Sequence, residues 1–353
     1  MAIAVVQTLP QLMVVRVISS LGLGVLWPTA FSLLSDLFEH KERGRAAGIM
    51  TAVSFSGTIV AFGILPLLAA GDPEAWRIGF VVMGLASVVT SFLLLLVNDP
   101  PRGSAEPELD DIITEEAASR YAFKISDLPE ISGVRSWWVL VFHQSIDWIA
   151  LAVLYGWSFT WLSTLGLGES AFMVVALLTL GTLIGHAFFG WLGDVLEGRY
   201  PDHGRSAMAQ IGLLVSIPAL TGFILMGSQG IAGLMVFGLL AGLSLSSVDT
   251  GARWPIAQAV LRPEIRATGR AALDMAVGVV SALAVAFSGL LVNQFDGNVT
   301  LMLLLLVPIP KLISSILWIP MFSTYPPDRD ALHDVLVQRR EEILSAGDQD
   351  ADQ

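Results

Sequence analysis

Histidine and charged side chains within long apolar stretches are the residues of this sequence that could carry chemistry. His143 and Asp147 are four residues apart and therefore share one face of a helix, with Asp147 about 15 Å into its apolar stretch. Histidine titrates near neutral pH and can pass a proton to a carboxylate. The pair predicts a proton or substrate-cation site in a cavity. A structural pair that is hydrogen-bonded to a neighbouring helix is the alternative.

Four more charged residues interrupt apolar stretches, where an ionisable group is costly unless it is paired or hydrated. Arg16 is a candidate for anchoring an anionic group of a solute, and its alternative role is to reach the lipid headgroups. Asp249 and Arg253 are four residues apart, so we expect an ion pair, with a cavity role and a packing role both open. Lys311 lies in the middle of its stretch, and no role is predicted for it.

The apolar stretches place the chain in a membrane. Of 353 residues, 54% are apolar and 14% are charged, whereas soluble domains carry about 25% charged residues. Uniformly apolar runs of this length span a bilayer as helices, not as alternating barrel strands. The predicted fold class is all-α, a polytopic transmembrane helical bundle. Nine spans are predicted, at about 11–37, 46–69, 76–97, 137–165, 170–194, 206–226, 231–257, 271–293 and 299–323.

The basic residues alternate between the loops and predict an orientation. Fifteen of the 19 lysines and arginines fall in one set of connecting segments, and Arg77 alone borders the other set. Because basic loops stay on the cytoplasmic side, we expect a multi-pass protein of the plasma (inner) membrane with a cytoplasmic C-terminus. The basic set comprises 37–45, 98–136, 195–205, 258–270 and the residues after 323. The other set comprises 70–75, 166–169, 227–230 and 294–298.

Several kinds of chemistry have no residues to support them. The absence of cysteine excludes disulfides, iron–sulfur clusters and thiolate metal sites. There is no phosphate-binding glycine–lysine loop, no serine–histidine–aspartate order and no histidine metal pair. The net charge of −12 lies mostly in 99–130 and 328–352, so a nucleic-acid partner is not expected. We therefore predict no enzyme activity, no cofactor and no metal. An intramembrane enzyme built on His143 and Asp147 is the rival interpretation.

A faint internal repeat divides the sequence in two. Residues 254–255 and 270–272 of the second part repeat the Trp-Pro and Arg-Ala-Ala patterns of 27–28 and 45–47. Three spans precede the central loop and six follow it, so a repeat of equal halves would leave the first half three spans short. Repeats separated by a central loop are typical of secondary transporters.

These features together resemble the major facilitator superfamily, a family of twelve-helix transporters. Arg16 with Gly22 and Gly24 resembles the motif of its fourth helix, with Ser20 where glycine is usual. The segment 36–48 resembles its turn between the fourth and fifth helices, and 190–199 resembles its second-half loop signature. Val195 replaces the usual basic residue of that signature. The segment 99–103 is similar to spinster-like members.

The resemblance implies a domain plan and a function. It implies an incomplete first bundle at 1–97 that begins at the end of the third helix, a cytoplasmic loop at 98–136, a six-helix bundle at 137–323 and an acidic tail at 324–353. It also implies alternating-access transport of a small organic solute, coupled to a proton or another ion, by a monomer. The expected cavity residues are Arg16, His143, Asp147, Asp249 and Arg253. A truncated, non-transporting sensor or scaffold is the alternative.

The same resemblance implies a gate at the cytoplasmic ends of the helices. Asp194 with Arg205, and Asp36 with Arg43, are expected to form salt bridges that hold this end closed, and Gly190 belongs to the same motif. Solvated charges at helix ends are the alternative interpretation.

Overall fold

The computed structural model describes residues 1–69, 74, 76–96, 100–109, 112–168 and 170–351, and the regular secondary structure in these ranges is helical. The helices are α1 (Leu9–Leu37), α2 (Arg43–Ala69), α3 (Trp76–Leu94), α4 (Glu115–Arg120), α5 (Leu128–Gly133), α6 (Arg135–Thr164), α7 (Ser170–Arg199), α8 (Gly204–Leu225), α9 (Ile231–Leu245), α10 (Trp254–Val260), α11 (Arg266–Gln294), α12 (Val299–Leu306), α13 (Pro308–Trp318) and α14 (Met321–Ala351). A π-helical turn, Asp249–Arg253, precedes α10. We call α1–α3 the first half and α6–α13 the second half.

The described helices agree with the predicted spans. Eight of them are long and apolar enough to cross a membrane, when α9–α10 and α12–α13 are each counted as one. The ninth predicted span, 46–69, lies within helix α2. Large apolar side chains are exposed around the outside, as expected of a surface in contact with lipid acyl chains. The chain is an integral, multi-pass membrane protein.

Two spans of the second half are interrupted. The span of α12 and α13 is broken at Val307, because Pro308 has no N–H group for the helical ladder. In the span of α9 and α10, the chain widens to the π-helical turn that contains Asp249 and Arg253. Such turns often occur at functional sites.

The segments of the predicted basic set lie together at one end of the bundle. Arg262 pairs with Glu130 there, and Arg329 lies 2.9 Å from Asp202. We call this end, formed by 37–45, 100–109, 112–136, 195–205, 258–270 and α14, the basic face. The expected acidic tail is helical as far as residue 351, and its Leu332 packs with Leu109 of the central loop.

The two halves contact each other on the side of the basic face. Phe31 and Ala47 of the first half belong to a buried cluster that otherwise consists mainly of second-half residues. A second buried cluster, farther from the basic face, contains only residues of the second half. Helices α2 and α7 approach closely at Gly48 and Gly190, where a methyl group would overlap the backbone of the facing helix. The halves therefore form a wedge that is closed at the basic face.

Candidate functional site

A cavity of about 600 Å³ lies between the two halves, beyond their zone of contact. Its first-half wall comes from α1 and α2, and its second-half wall comes from α6, α7, α9, the π-helical turn, α10, α11 and α13. The charged residues of its wall are Asp147, Asp249, Arg253, Arg270, Asp274 and Lys311. Its aromatic residues are Trp27, Phe55, Trp148, Tyr155, His186 and Trp254. An apolar cleft with a few charged groups is typical of a small-molecule site.

Asp147 is the centre of a buried ion cluster. Its Oδ1 accepts a hydrogen bond from Lys311 Nζ at 2.7 Å and another from Ser314 Oγ at 3.0 Å. Its Oδ2 lies 3.3 Å from Arg253 Nη1. The carboxylate thus joins α6, the π-helical turn and α13, and both of its oxygens are occupied. Each of these buried charges has a partner of opposite sign, which makes its burial tolerable, and the three together leave one positive charge to be balanced.

The predicted pair of Asp249 and Arg253 is confirmed, and it extends the cluster. Asp249 Oδ1 lies 3.1 Å from Arg253 Nε, so one guanidinium group bridges two carboxylates. The widened turn gives both residues access to the cavity. With Lys311 and Asp147, the cluster contains two cations and two anions. Its formal charge is therefore zero.

His143 lies beside this cluster without a hydrogen bond to Asp147. Its Nδ1 lies 3.0 Å from the carbonyl oxygen of Ser314, and its ring packs edge-on against Trp318 at 4.7 Å. The shared helix face is confirmed, because Ser314 contacts both residues. However, His143 is completely buried and is not part of the cavity wall. Its contacts are those of the structural alternative.

Arg16, an expected cavity residue, is exposed and lies away from the cavity. The first cavity residue of α1 is Leu23, seven positions and therefore about 10 Å farther along the helix axis. The cavity interpretation of Arg16 is thus not supported by its position. A different arginine, Arg270, lines the cavity.

Arg270 forms a second charged group of the cavity with Asp274. Its Nε donates to Asp274 Oδ2 at 2.9 Å. Its guanidinium carbon lies 4.9 Å from the centre of the Trp254 ring and 5.6 Å from that of Phe31. Trp27 in turn packs edge-on against Trp254 at 5.9 Å. A cation over aromatic rings gains electrostatic stabilisation and is held in orientation.

Asp194 joins the two halves at the basic face. The predicted pair with Arg205 is confirmed by a distance of 2.7 Å between Asp194 Oδ1 and Arg205 Nη2. The same carboxylate accepts hydrogen bonds from the backbone N–H groups of Gly44 and Arg45, at 3.0 and 2.6 Å. An anion at the N-terminus of α2 satisfies unpaired N–H groups and is favoured by the helix dipole.

The expected pair of Asp36 and Arg43 is wrong. Asp36 instead accepts hydrogen bonds from Arg102 Nη1 and from the N–H of Gly103, both at 2.9 Å. Arg43 donates to the carbonyl oxygen of Ser35 at 2.9 Å and pairs with a different acid. The central loop supplies both new partners because it folds back against the ends of α1 and α2.

That different acid is Glu106, which lies buried between arginines of both halves. Its Oε1 is 2.5 Å from Arg43 Nη2 in the first half and 2.6 Å from Arg266 Nη1 in the second. Burial alone would raise the pKa of Glu106, but the two guanidinium groups outweigh it and lower the pKa to about 2. Glu106 therefore acts as an anionic clamp across the basic face.

Sequence reasoning missed several residues that the structure brings together. Lys311 carried the clearest signal, because a cation in mid-span requires a partner, and Asp147 was the acid at similar depth. Arg270 and Asp274 are four residues apart but lie near a helix end, where a headgroup position is equally expected. For Glu106, one acid among many in an acidic loop, the sequence contains no signal.

Comparison with known proteins identifies the family. The sequence model of the Major Facilitator Superfamily matches residues 1–285. The chain belongs to the Major Facilitator Superfamily. Protein spinster of Drosophila melanogaster is 24% identical over 227 residues, which are 60% of this chain and 35% of the relative. The gentisate transporter of Corynebacterium glutamicum is 27% identical over 51% of this chain and 40% of its own length. The matches to these two relatives thus cover less than half of either.

A solved structure is also similar. A bacterial homologue of the human lysosomal transporter spinster, in an inward-facing and unoccupied conformation, matches 94% of this chain and 74% of its own chain, with a TM-score of 0.47 and 16% identity. The family and the names of the relatives point to a membrane transporter and not to an enzyme. The resemblance to spinster agrees with the expectation from segment 99–103.

Proposed function

We propose that this protein is a secondary transporter that moves a small organic solute by alternating access and is coupled to protons. The observation that carries the proposal is the cavity between two halves whose shared buried cluster, in the described residues, lies on the side of the basic face. A solute site between two bundles, closed at one end, is the arrangement that rocking-bundle transport requires. The relative named for gentisate supports a small organic solute.

The closed end is assigned to the cytoplasm. The basic face contains fifteen of the 19 lysines and arginines, and basic segments favour the cytoplasmic side. With that orientation, in the plasma (inner) membrane, the wedge opens outward. Transport then requires that Asp194 lose its contacts with the first half and that Glu106 release one of its two arginines, while the outer ends of the halves approach.

The ion cluster supports the proposal of proton coupling through Asp147 and Asp249. Asp147 has both oxygens engaged, so its protonation would release Lys311 and loosen α13 from α6. Asp249 has one ionic partner in the part of the chain that the structure describes and lines the cavity, so it is the more accessible acceptor. Protonation of Asp249 would remove its ionic interaction with Arg253, which would then pair with Asp147 only. The two carboxylates therefore act as one unit through the shared guanidinium group.

Transport is tested by reconstitution. The purified protein in liposomes is offered a panel of labelled organic acids, amines and neutral solutes, with and without an imposed pH gradient. We expect uptake of at least one solute that rises with the gradient and is abolished by a protonophore. Asp249→Asn should leave counterflow exchange intact and remove the response to the gradient. Gradient-independent uptake would refute proton coupling. Absence of uptake of every solute by folded protein would favour the sensor or scaffold alternative.

Alternating access is tested at the basic face, and the natural absence of cysteine makes the experiment specific. His40 Nε2 of the loop between α1 and α2 lies 3.1 Å from Glu197 Oε1 of α7, so this pair spans the two halves. Replacement of both by cysteine and treatment with a short thiol-reactive crosslinker should stop uptake. Each single-cysteine variant, treated identically, is the control. Full uptake by the crosslinked double variant would refute an opening of this face.

A further inference from the structure

Among the cations of the described cavity wall, Arg270 is the arginine with two unbonded Nη groups. Arg270 is 7% exposed and lines the cavity, yet only its Nε is hydrogen-bonded, to Asp274. Its two Nη groups donate to no acceptor in the part of the chain that the structure describes. By contrast, Lys311 is paired with Asp147, and Arg253 bridges two carboxylates. Arg270 is thus the cation of the cavity that is best placed to accept a further anion.

The surroundings of Arg270 define the shape of that anion. Its guanidinium plane is held over Trp254 and Phe31, which fixes the side chain before any ligand arrives. Trp27 completes an aromatic wall beside it, and the rings of Phe55 and His186 stack at 5.2 Å farther along the cavity. A fixed guanidinium fork matches a planar carboxylate through two parallel hydrogen bonds. Aromatic walls favour a flat, apolar body behind it.

We propose that the cavity binds a planar aromatic carboxylate whose carboxyl group is received by Arg270. This inference rests on the proposed function and names the class of solute. Asp274 is the resident partner of Arg270 and competes with the solute for it. Asp249 and Arg253 of the π-helical turn line the same cavity and pair with each other. The negative charge that opposes the solute therefore comes mainly from Asp274.

The test measures equilibrium binding of benzoate to the full-length protein in detergent, by quenching of tryptophan fluorescence and by thermal stabilisation. Benzamide is the neutral analogue of the same shape. We expect wild type to bind benzoate in preference to benzamide, and Arg270→Gln to weaken benzoate binding by about tenfold or more. Arg270→Lys keeps the charge without the fork and should lie between the two. Asp274→Asn should strengthen binding, because the competing carboxylate is gone.

The control is Arg199→Gln, which makes the same change at an exposed arginine at the end of α7 and should leave benzoate binding unaltered. Equal binding of benzoate by wild type and folded Arg270→Gln would overturn the proposal. So would equal affinity for benzamide, or no benzoate binding by folded wild type. Binding requires no transport, so the two proposals fail separately. Benzoate binding without any uptake would uphold this inference and refute transport, and uptake of other solutes without benzoate binding would do the reverse.

Discussion

Replacing Asp147 with asparagine removes the carboxylate that neutralises Lys311 within the described part of the chain. An unpaired buried charge costs about 3–5 kcal/mol when its partner is lost. Replacing Lys311 with methionine is milder, because Asp147 keeps Arg253 and the hydroxyl group of Ser314. We expect a loss of about 1–3 kcal/mol for that variant. The structure therefore predicts an unequal pair of single variants.

The double variant gives the decisive comparison. With Lys311→Met added to Asp147→Asn, no unpaired cation remains, and Arg253 still has Asp249. The double variant should be more stable than Asp147→Asn alone by about 2 kcal/mol, so the free-energy changes are strongly non-additive. Unfolding is followed by tryptophan fluorescence in detergent. The single Asp147→Asn variant should lose about 5 °C or more in Tm.

A surface substitution controls for the loss of any carboxylate. Asp334→Asn changes an exposed acid of α14 and should alter the free energy of unfolding by less than about 0.5 kcal/mol. If the double variant is as unstable as the sum of the two single variants, Asp147 and Lys311 do not interact as described. The assignment of Asp147 as the link between α6 and α13 would then be refuted.

The remaining predictions concern the basic face. The pKa of Glu106 is lowered from 4.5 to about 2, so its contribution to the free energy of unfolding is full above pH 4.5 and is lost as the pH falls towards 2. An acid unfolding titration of Glu106→Gln should lack this loss of stability between pH 4.5 and 2. Burial outweighs the hydrogen bond to Glu197 and lowers the pKa of His40 below 6.5. The stability contributed by the neutral ring is therefore lost as the pH falls below 6.5. In His40→Asn, the Tm should depend less on pH in this range, which a pH series of thermal unfolding measures. Gly190→Leu should prevent the close approach of α2 and α7, which crosslinking between cysteines placed at 40 and 197 would measure as reduced yield.

The helices could be predicted from sequence because a lipid-facing span must be apolar and must satisfy its backbone hydrogen bonds internally, as a helix does. A long run of apolar residues therefore predicts a spanning helix directly. The shared end of the basic segments followed from their alternation. Local pairs were accessible as well: Asp249 with Arg253 are one helical turn apart, and the turn places their side chains together.

Contacts between distant segments were less accessible. Asp36 and Arg43 are close in sequence, yet each binds a residue of the central loop, because α1 ends between them and turns their side chains apart. Arg16 lies outside the cavity because the part of α1 that lines the cavity begins at Leu23. No local sequence pattern indicates which part of a helix faces a cavity. The pairing of Lys311 with Asp147 could be predicted only with the knowledge that α13 lies beside α6.

The Glu106 clamp has a consequence for how far the halves can separate. Glu106 belongs to the covalent connection between them, and it holds an arginine of each. Nearby, Arg102 and Gly103 hold that connection to α1, while Arg340 of α14 donates to the carbonyl oxygen of Glu108 at 2.8 Å. The connection is therefore anchored at the closed end, on the basic face. Farther along the connection, Tyr121 Oη donates to Glu342 of α14 at 2.8 Å, so a wide opening of the basic face requires several of these contacts to break.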